Sequence, residues 1–180
     1  MKEFEVTSDA IQVSGGVIDT FLTALGPYRT RGEKVVARNC KVAKVDTAEG
    51  SFYPLAGHLE ALAEFQQQFG PDFMQNVGAL IFEKAVFPPG IASAPQALAI
   101  VDTAYQMNHR NAEGRIGAYR WTPQANGGLM VCDNPYPCAF DRGILSGILR
   151  RFGVKGSVRH ESPETCRHLG AETCSYLVEW

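Results

Sequence analysis

The feature that most constrains this chain is a change of apolar period near Asn111. Before it, apolar residues recur at helical spacing, and after it they recur as in strands. The spacing predicts a helix over Gly57–Phe69, with Leu59, Leu62, Phe65 and Phe69 near one face and Gly70-Pro71 as its stop. Pro71 then opens a second helix, with Asp72 in the first turn, where the helix dipole favours an anion. Phe73, Val77, Leu80 and Ile81 form its apolar stripe. Pro88-Pro89-Gly90 breaks the chain. A third helix is expected from Pro95, with Ser93 as N-cap and Leu98, Val101, Ala104 and Tyr105 facing inward.

Beyond Asn111, the runs Gly114–Trp121 and Leu129–Cys132 flank Asn126-Gly127-Gly128, a strong turn signal, and predict a hairpin. Asp141–Phe152 reads as an amphipathic helix closed by Gly153. Val154–His160 and Cys174–Trp180 read as two further strands. Nearer the start, Phe4–Val13 reads as a strand or hairpin and Val17–Leu25 as a short helix ended by Gly26-Pro27. Lys34–Val45, rich in β-branched residues, reads as extended. Helices first, then a hairpin, a helix and a strand pair imply an α+β fold, with a helical layer packed on an antiparallel sheet. With 180 residues and no linker, repeat or low-complexity tract, residues 1–180 are expected to form a single domain.

Charge removes some function classes. The net charge of −2 gives no electrostatic footprint for nucleic acid or an anionic membrane, and Arg150, Arg151, Lys155 and Arg159 read as a solvated face. No apolar run approaches the roughly 20 residues that span a bilayer. Residues 1–9 lack the basic and apolar regions of a secretory signal, so a cytoplasmic protein without membrane insertion is expected. The chain contains no GxSxG, GxxxxGK[ST], HExxH or GxGxxG pattern, which sets binding ahead of catalysis.

The five cysteines are not spaced as in a secreted disulfide framework. Cys40 reads as a core thiol beside Val35 and Val36. Cys166 and Cys174 instead frame a loop containing Gly170, and Cys138 stands just before a predicted helix. Zinc takes about four thiolate, imidazole or carboxylate ligands. His160, Glu164 and His168 lie near in sequence, and His160, ending a predicted strand, is the favoured fourth member. The candidate metal set is therefore Cys138, His160, Cys166 and Cys174, with buried core thiols or a redox-active pair as open alternatives. Phe69, Phe82, Tyr105, His109 and Trp121 are candidate ligand-binding residues, able to line an apolar cavity with a few polar groups. Tyr105 and His109 stand four apart on one helix face, and either side chain can ligate heme iron. The helix dipole favours the competing reading, in which His109-Arg110-Asn111 is a solvated helix end.

The segments PCAFDRGILSGILRRFG (137–153) and VRHESPETCRHLGAETCSYLVEW (158–180) resemble the superfamily shared by vinyl-reductase-type domains and heme-nitric-oxide/oxygen-binding domains. TRAPP transport subunits have a related fold. The likeness rests on Cys166, Arg167, Gly170 and Cys174 before an apolar strand, and on the glycine-spaced helix Gly143–Gly153. It is good from about residue 100 onward and weak over residues 1–50. The resemblance implies a sensor domain for a hydrophobic or tetrapyrrole-like molecule. In the vinyl-reductase-type branch it also implies a structural zinc on Cys138, Cys166 and Cys174, although Pro163 stands where that branch carries a carboxylate. The Tyr-x-Ser-x-Arg signature of the heme branch falls on Tyr136, Cys138 and Phe140, so its Ser and Arg are missing, and the proximal histidine falls near Tyr105 or His109. Zinc is accordingly placed ahead of heme as the possible cofactor. The expected function is a ligand-binding sensor module acting through a homodimer or a signalling-protein partner. The alternatives are a heme-based gas sensor and a reductase-like accessory protein of tetrapyrrole metabolism.

Overall fold

Ser14 shows how tightly the N-terminal part is tied to the rest of the chain. It ends a short strand, β1 (Gln12–Ser14), and caps a helix, α1 (Gly15–Ala24). Its Oγ accepts from the Val17 N–H at 3.3 Å, a cap worth about 1 kcal/mol, and donates to Asn108 Oδ1 at 2.7 Å. The computed structural model describes residues 2–83, 87–162, 164 and 166–180. Pro163, the position of the missing carboxylate, lies outside the described residues.

A second helix, α2 (Arg29–Asn39), follows a single 3-10 turn at Gly26–Tyr28. It occupies much of the stretch whose β-branched residues suggest an extended chain. Packing overrides that propensity, because Gly32, Val35 and Val36 form one buried helical face. A Cβ on Gly32 would stand 2.4 Å from a Leu25 methyl, so the two helices meet at this glycine. After β2 (Phe52–Pro54) come α3 (Leu55–Phe69) and α4 (Pro71–Glu83), with Asp72 in the first turn of α4 as its sequence predicts. The third predicted helix is two short ones, α5 (Ala94–Ala99) and α6 (Val101–Met107), which meet at Ile100. Ser93 makes no side-chain cap to α5, and its hydroxyl donates to Gln96 Oε1 instead.

A two-residue strand, β3 (His109–Arg110), joins β1 and β2 in a small antiparallel sheet of order β2-β1-β3. The second sheet holds β4 (Tyr119–Gln124) and β5 (Gly127–Cys132), the predicted hairpin, with β6 (Ser157–His160) and β7 (Cys174–Glu179), in the antiparallel order β4-β5-β7-β6. Among the described residues there are seven α-helices, the last being α7 (Cys138–Arg151). The architecture is α+β, as expected, with two sheets rather than one.

The contact that positions the site is the crossing of α4 and α7. A Cβ on Gly143 would stand 2.1 Å from the Gln75 carbonyl oxygen, and one on Gly147 would stand 2.3 Å from that of Ala79. The two backbones touch because neither glycine carries a side chain. The glycines that resemble a family signature in the sequence are therefore a packing surface. Their contact fixes Ile81 and Phe82 of α4 beside Phe140 and Ile144 of α7. No helix among the described residues is long and apolar enough to cross a membrane.

Candidate ligand pocket

A cavity of about 620 Å³ opens between α1, the end of α4, α5–α6 and α7, a size usual for small-molecule sites. Its walls are Val17 and Thr20 of α1, Ile81 and Phe82 of α4, Ile100, Val101, Ala104 and Tyr105 around α6, and Phe140 and Ile144 of α7. His109, Tyr119 and Tyr136 complete it. No charged side chain lines it among the described residues.

His109 is the chief polar group of this wall. It lies just past α6, on β3, and is buried, whereas the helix dipole had suggested a solvated helix end. Pairing of β3 with β1 turns the chain inward after Asn108. His109 Nδ1 stands 2.7 Å from the Tyr105 carbonyl oxygen, which can only accept, so Nδ1 carries the proton. Nε2 is then the lone-pair nitrogen, and the Tyr136 hydroxyl donates to it at 3.0 Å. Burial lowers the His109 pKa, and the bond to the Tyr105 carbonyl partly offsets that effect.

Behind Tyr136 lies His58 of α3, completely buried, with neither ring nitrogen hydrogen-bonded among the described residues. Its ring packs edge-on against Phe21 at 5.5 Å and faces Tyr136 at 6.1 Å. Burial, with a smaller contribution from His109, holds its pKa down at about 3. Sequence periodicity passes over His58, since a lone histidine in a helix carries no spacing signal.

Tyr119 leads from the cavity to a charged network. Its hydroxyl donates to Asp141 Oδ1 at 2.6 Å. Asp141 pairs with Arg167, and both side chains are fully buried. Asn134 joins them, its Oδ1 accepting from Arg167 Nη1 at 3.1 Å. Burial pushes the Asp141 carboxyl up, and Arg167, Tyr119 and Asn134 each pull it back toward the charged form.

Arg167 also connects this network to the cysteines, since its backbone N–H donates to Cys174 Sγ at 3.2 Å. Cys174 Sγ lies 3.7 Å from Cys166 Sγ, and the donor atoms of Cys138, His160 and Cys166 all lie within 4.8 Å of one another. All four candidate metal-set residues therefore gather where α7, β6 and β7 meet. A hydrogen bond from Cys138 holds the Cys174 thiol well below its ordinary pKa. The 166–174 spacing hinted at this cluster, whereas the buried partner of Arg167 could not be read from it.

The candidate ligand residues divide. Phe82, Tyr105 and His109 line the cavity. Phe69 instead packs with Tyr28 and Phe73, at centroid distances of 4.9 and 4.8 Å. Trp121 stacks on Trp180 at 6.4 Å and borders a shallow groove with Pro95 and Pro123. Tyr136 is a principal lining residue that the aromatic pattern did not offer for a pocket.

No family model and no curated protein matches this chain. Solved structures do. An H-NOX protein from S. oneidensis in its Fe(II)NO ligation state has a TM-score of 0.67 and 14% identity, covering 92% of this chain and 98% of that one. The Fe(II) unliganded H-NOX protein from K. algicida gives 0.61 at 12% identity, covering 92% and 95%. A structure probing the function of heme distortion in the H-NOX family gives 0.58 at 14%, covering 92% and 94%. The fold is thus that of H-NOX domains, the heme-binding side of the expected resemblance.

These neighbours correct the cofactor expectation, which ranked zinc ahead of heme. The group that goes with this fold in the solved structures is heme. The ranking rested on the missing Ser and Arg of the heme signature and on four cysteine and histidine donors that sit outside the cavity, while the dipole argument set His109 at a solvated helix end. The apolar walls suit heme, and His109 Nε2 is the nitrogen that could hold its iron once the Tyr136 hydroxyl leaves it. The cavity offers no arginine or lysine to a heme carboxylate among the described residues, in keeping with the missing Ser and Arg at Cys138 and Phe140.

Proposed function

We propose that this chain is a sensor domain that holds a tetrapyrrole, heme foremost, in the cavity between α1, α4, α6 and α7. The observation that carries this is His109, buried on the cavity wall with Nδ1–H anchored on the Tyr105 carbonyl and Nε2 as the lone-pair nitrogen, engaged here only by the Tyr136 hydroxyl. The likeness to H-NOX structures supports it. His109 would hold the heme iron, which would supply the chemistry of binding a diatomic gas. The chain's own residues do the rest. Tyr105 fixes the imidazole's tautomer and direction, and Phe82, Phe140 and Ile144 keep water out. Cys138, His160, Cys166 and Cys174 fix the closing loop against α7. A second copy or a signalling protein receives the change, which requires the ligand to prefer one conformational state.

Addition of hemin to the purified protein tests this. A saturable Soret band at one heme per chain is expected, with affinity reduced at least tenfold by His109→Ala. The absence of any such band in the unaltered protein rejects the reading. A second reading takes the uncharged cavity wall as its motive: a neutral hydrophobic molecule in the same space. Melting-temperature shifts with neutral aromatic compounds, in a protein that gives no Soret band, would favour it.

A further inference from the structure

The polar groups left over by the proposed function are the two ring nitrogens of His58. They are buried in the core, unpartnered among the described residues, and one side chain away from the cavity. A buried imidazole without a partner is costly, so its persistence here calls for a partner in some state of the protein. Tyr136 is the nearest candidate. Its ring centroid stands 5.9 Å from that of His109 and 6.1 Å from that of His58, so the phenol is about equally far from the two imidazoles. The backbone N–H of Tyr136 is held by Asn134 Oδ1 at 2.9 Å, and its ring stacks on Phe140. Its hydroxyl donates to His109 in this structure, and it meets a His58 nitrogen only if the ring shifts.

We infer that His58 is a positioning residue of the ligand site, the acceptor that the Tyr136 hydroxyl reaches by a shift of its ring when a ligand takes Nε2 of His109. This rests on the proposed function, in which the ligand needs that nitrogen. Without His58, the displaced hydroxyl would be stranded in an apolar core, and the ligand would have to overcome that loss as well. With it, one hydrogen bond is exchanged for another. The Tyr136 side chain thereby reports occupancy of the cavity to α3, which carries His58.

The side-chain ¹⁵N spectrum of histidine-labelled protein tests the exchange in two ways. In His109→Leu, with the first acceptor removed, one His58 ring nitrogen is expected to shift upfield to the position of a hydrogen-bonded acceptor. The shift is expected to vanish in His109→Leu/Tyr136→Phe. His109→Met serves if the leucine variant does not fold. The same His58 shift is expected when gallium protoporphyrin IX, a diamagnetic stand-in for heme, is bound by the unaltered protein. His58→Leu should then weaken porphyrin binding at least fivefold. A His58 signal that does not respond in the His109 variants overturns the inference. If the porphyrin binds and His58 does not respond, the inference fails while the proposed function stands. If the porphyrin does not bind, the proposed function fails, and the His109 variants alone decide the inference.

Discussion

Two buried polar clusters lie side by side behind this cavity, and they are built on opposite principles. In the Tyr119–Asp141–Asn134–Arg167 cluster, two full charges are wholly buried, and nearly every polar atom has a partner. In the His58–Tyr136–His109 cluster every group is neutral, and three side chains share one hydrogen bond among them. The first arrangement tolerates no exchange, because moving any member strands a charge in a low-dielectric interior. The second has a spare acceptor, His58, unpartnered among the described residues. The fixed cluster sits between the cavity and the cysteine loop and holds the frame. The under-satisfied one sits on the cavity wall, where the proposed ligand would arrive.

The largest effect that would test this contrast is the loss of Arg167. Arg167→Met leaves Asp141 buried without its counter-charge, and a destabilisation of about 3–5 kcal/mol is expected in urea unfolding. Adding Asp141→Leu should restore much of it. A double variant no better than the single one would show that the frame does not depend on the ion pair.

An acid titration probes the other cluster. In the unfolded chain His58 titrates near 6.5, and in the folded protein near 3. Above pH 6.5 both states are neutral and the full stability is present. As pH falls from 6.5 toward 3, the unfolded chain takes up a proton that the folded chain refuses. Stability is then lost at up to about 1.4 kcal/mol per pH unit from this residue. His109, also lowered by burial, acts in the same direction. His58→Leu should flatten the fall between pH 6.5 and 4.5 relative to the unaltered protein, and identical slopes would place His58 in contact with water.

The smallest effect is that of Tyr136→Phe. It removes one neutral hydrogen bond and leaves His109 Nε2 unpartnered, for a cost of about 1 kcal/mol near neutral pH. A cost as large as that of Arg167→Met would show that the two clusters are equally rigid and erase the distinction between them.

Some of this was written plainly along the chain. Prolines and glycines at 70–71, 88–90 and 126–128 mark the breaks between elements, and they do so through local backbone chemistry that needs no tertiary context. Apolar periodicity gave helices over Gly57–Phe69, from Pro71 and over Asp141–Phe152, which the structure places at Leu55–Phe69, Pro71–Glu83 and Cys138–Arg151, and the hairpin of β4 and β5, and hence the α+β class. The gathering of Cys166 and Cys174 was legible from their short separation. What failed was whatever depended on burial. Val35 and Val36 look like strand residues until Gly32 lets α2 pack against α1. His109 looks like the polar end of a helix until β3 pairs with β1 and draws it inside. Phe69 and Trp121 have the chemistry of pocket residues but face other neighbours.

By itself, then, the sequence determined where the elements lie and which class of fold they make, because backbone preference and apolar spacing act over a few residues at a time. Only the tertiary structure decided which polar groups lose their water. Histidine, tyrosine and cysteine suit core and surface alike, so their roles are set by what packs over them. For His58, His109 and Tyr136 that packing comes from α1, α3, α6 and the segment before α7, which lie far apart in the chain and meet only in the folded protein.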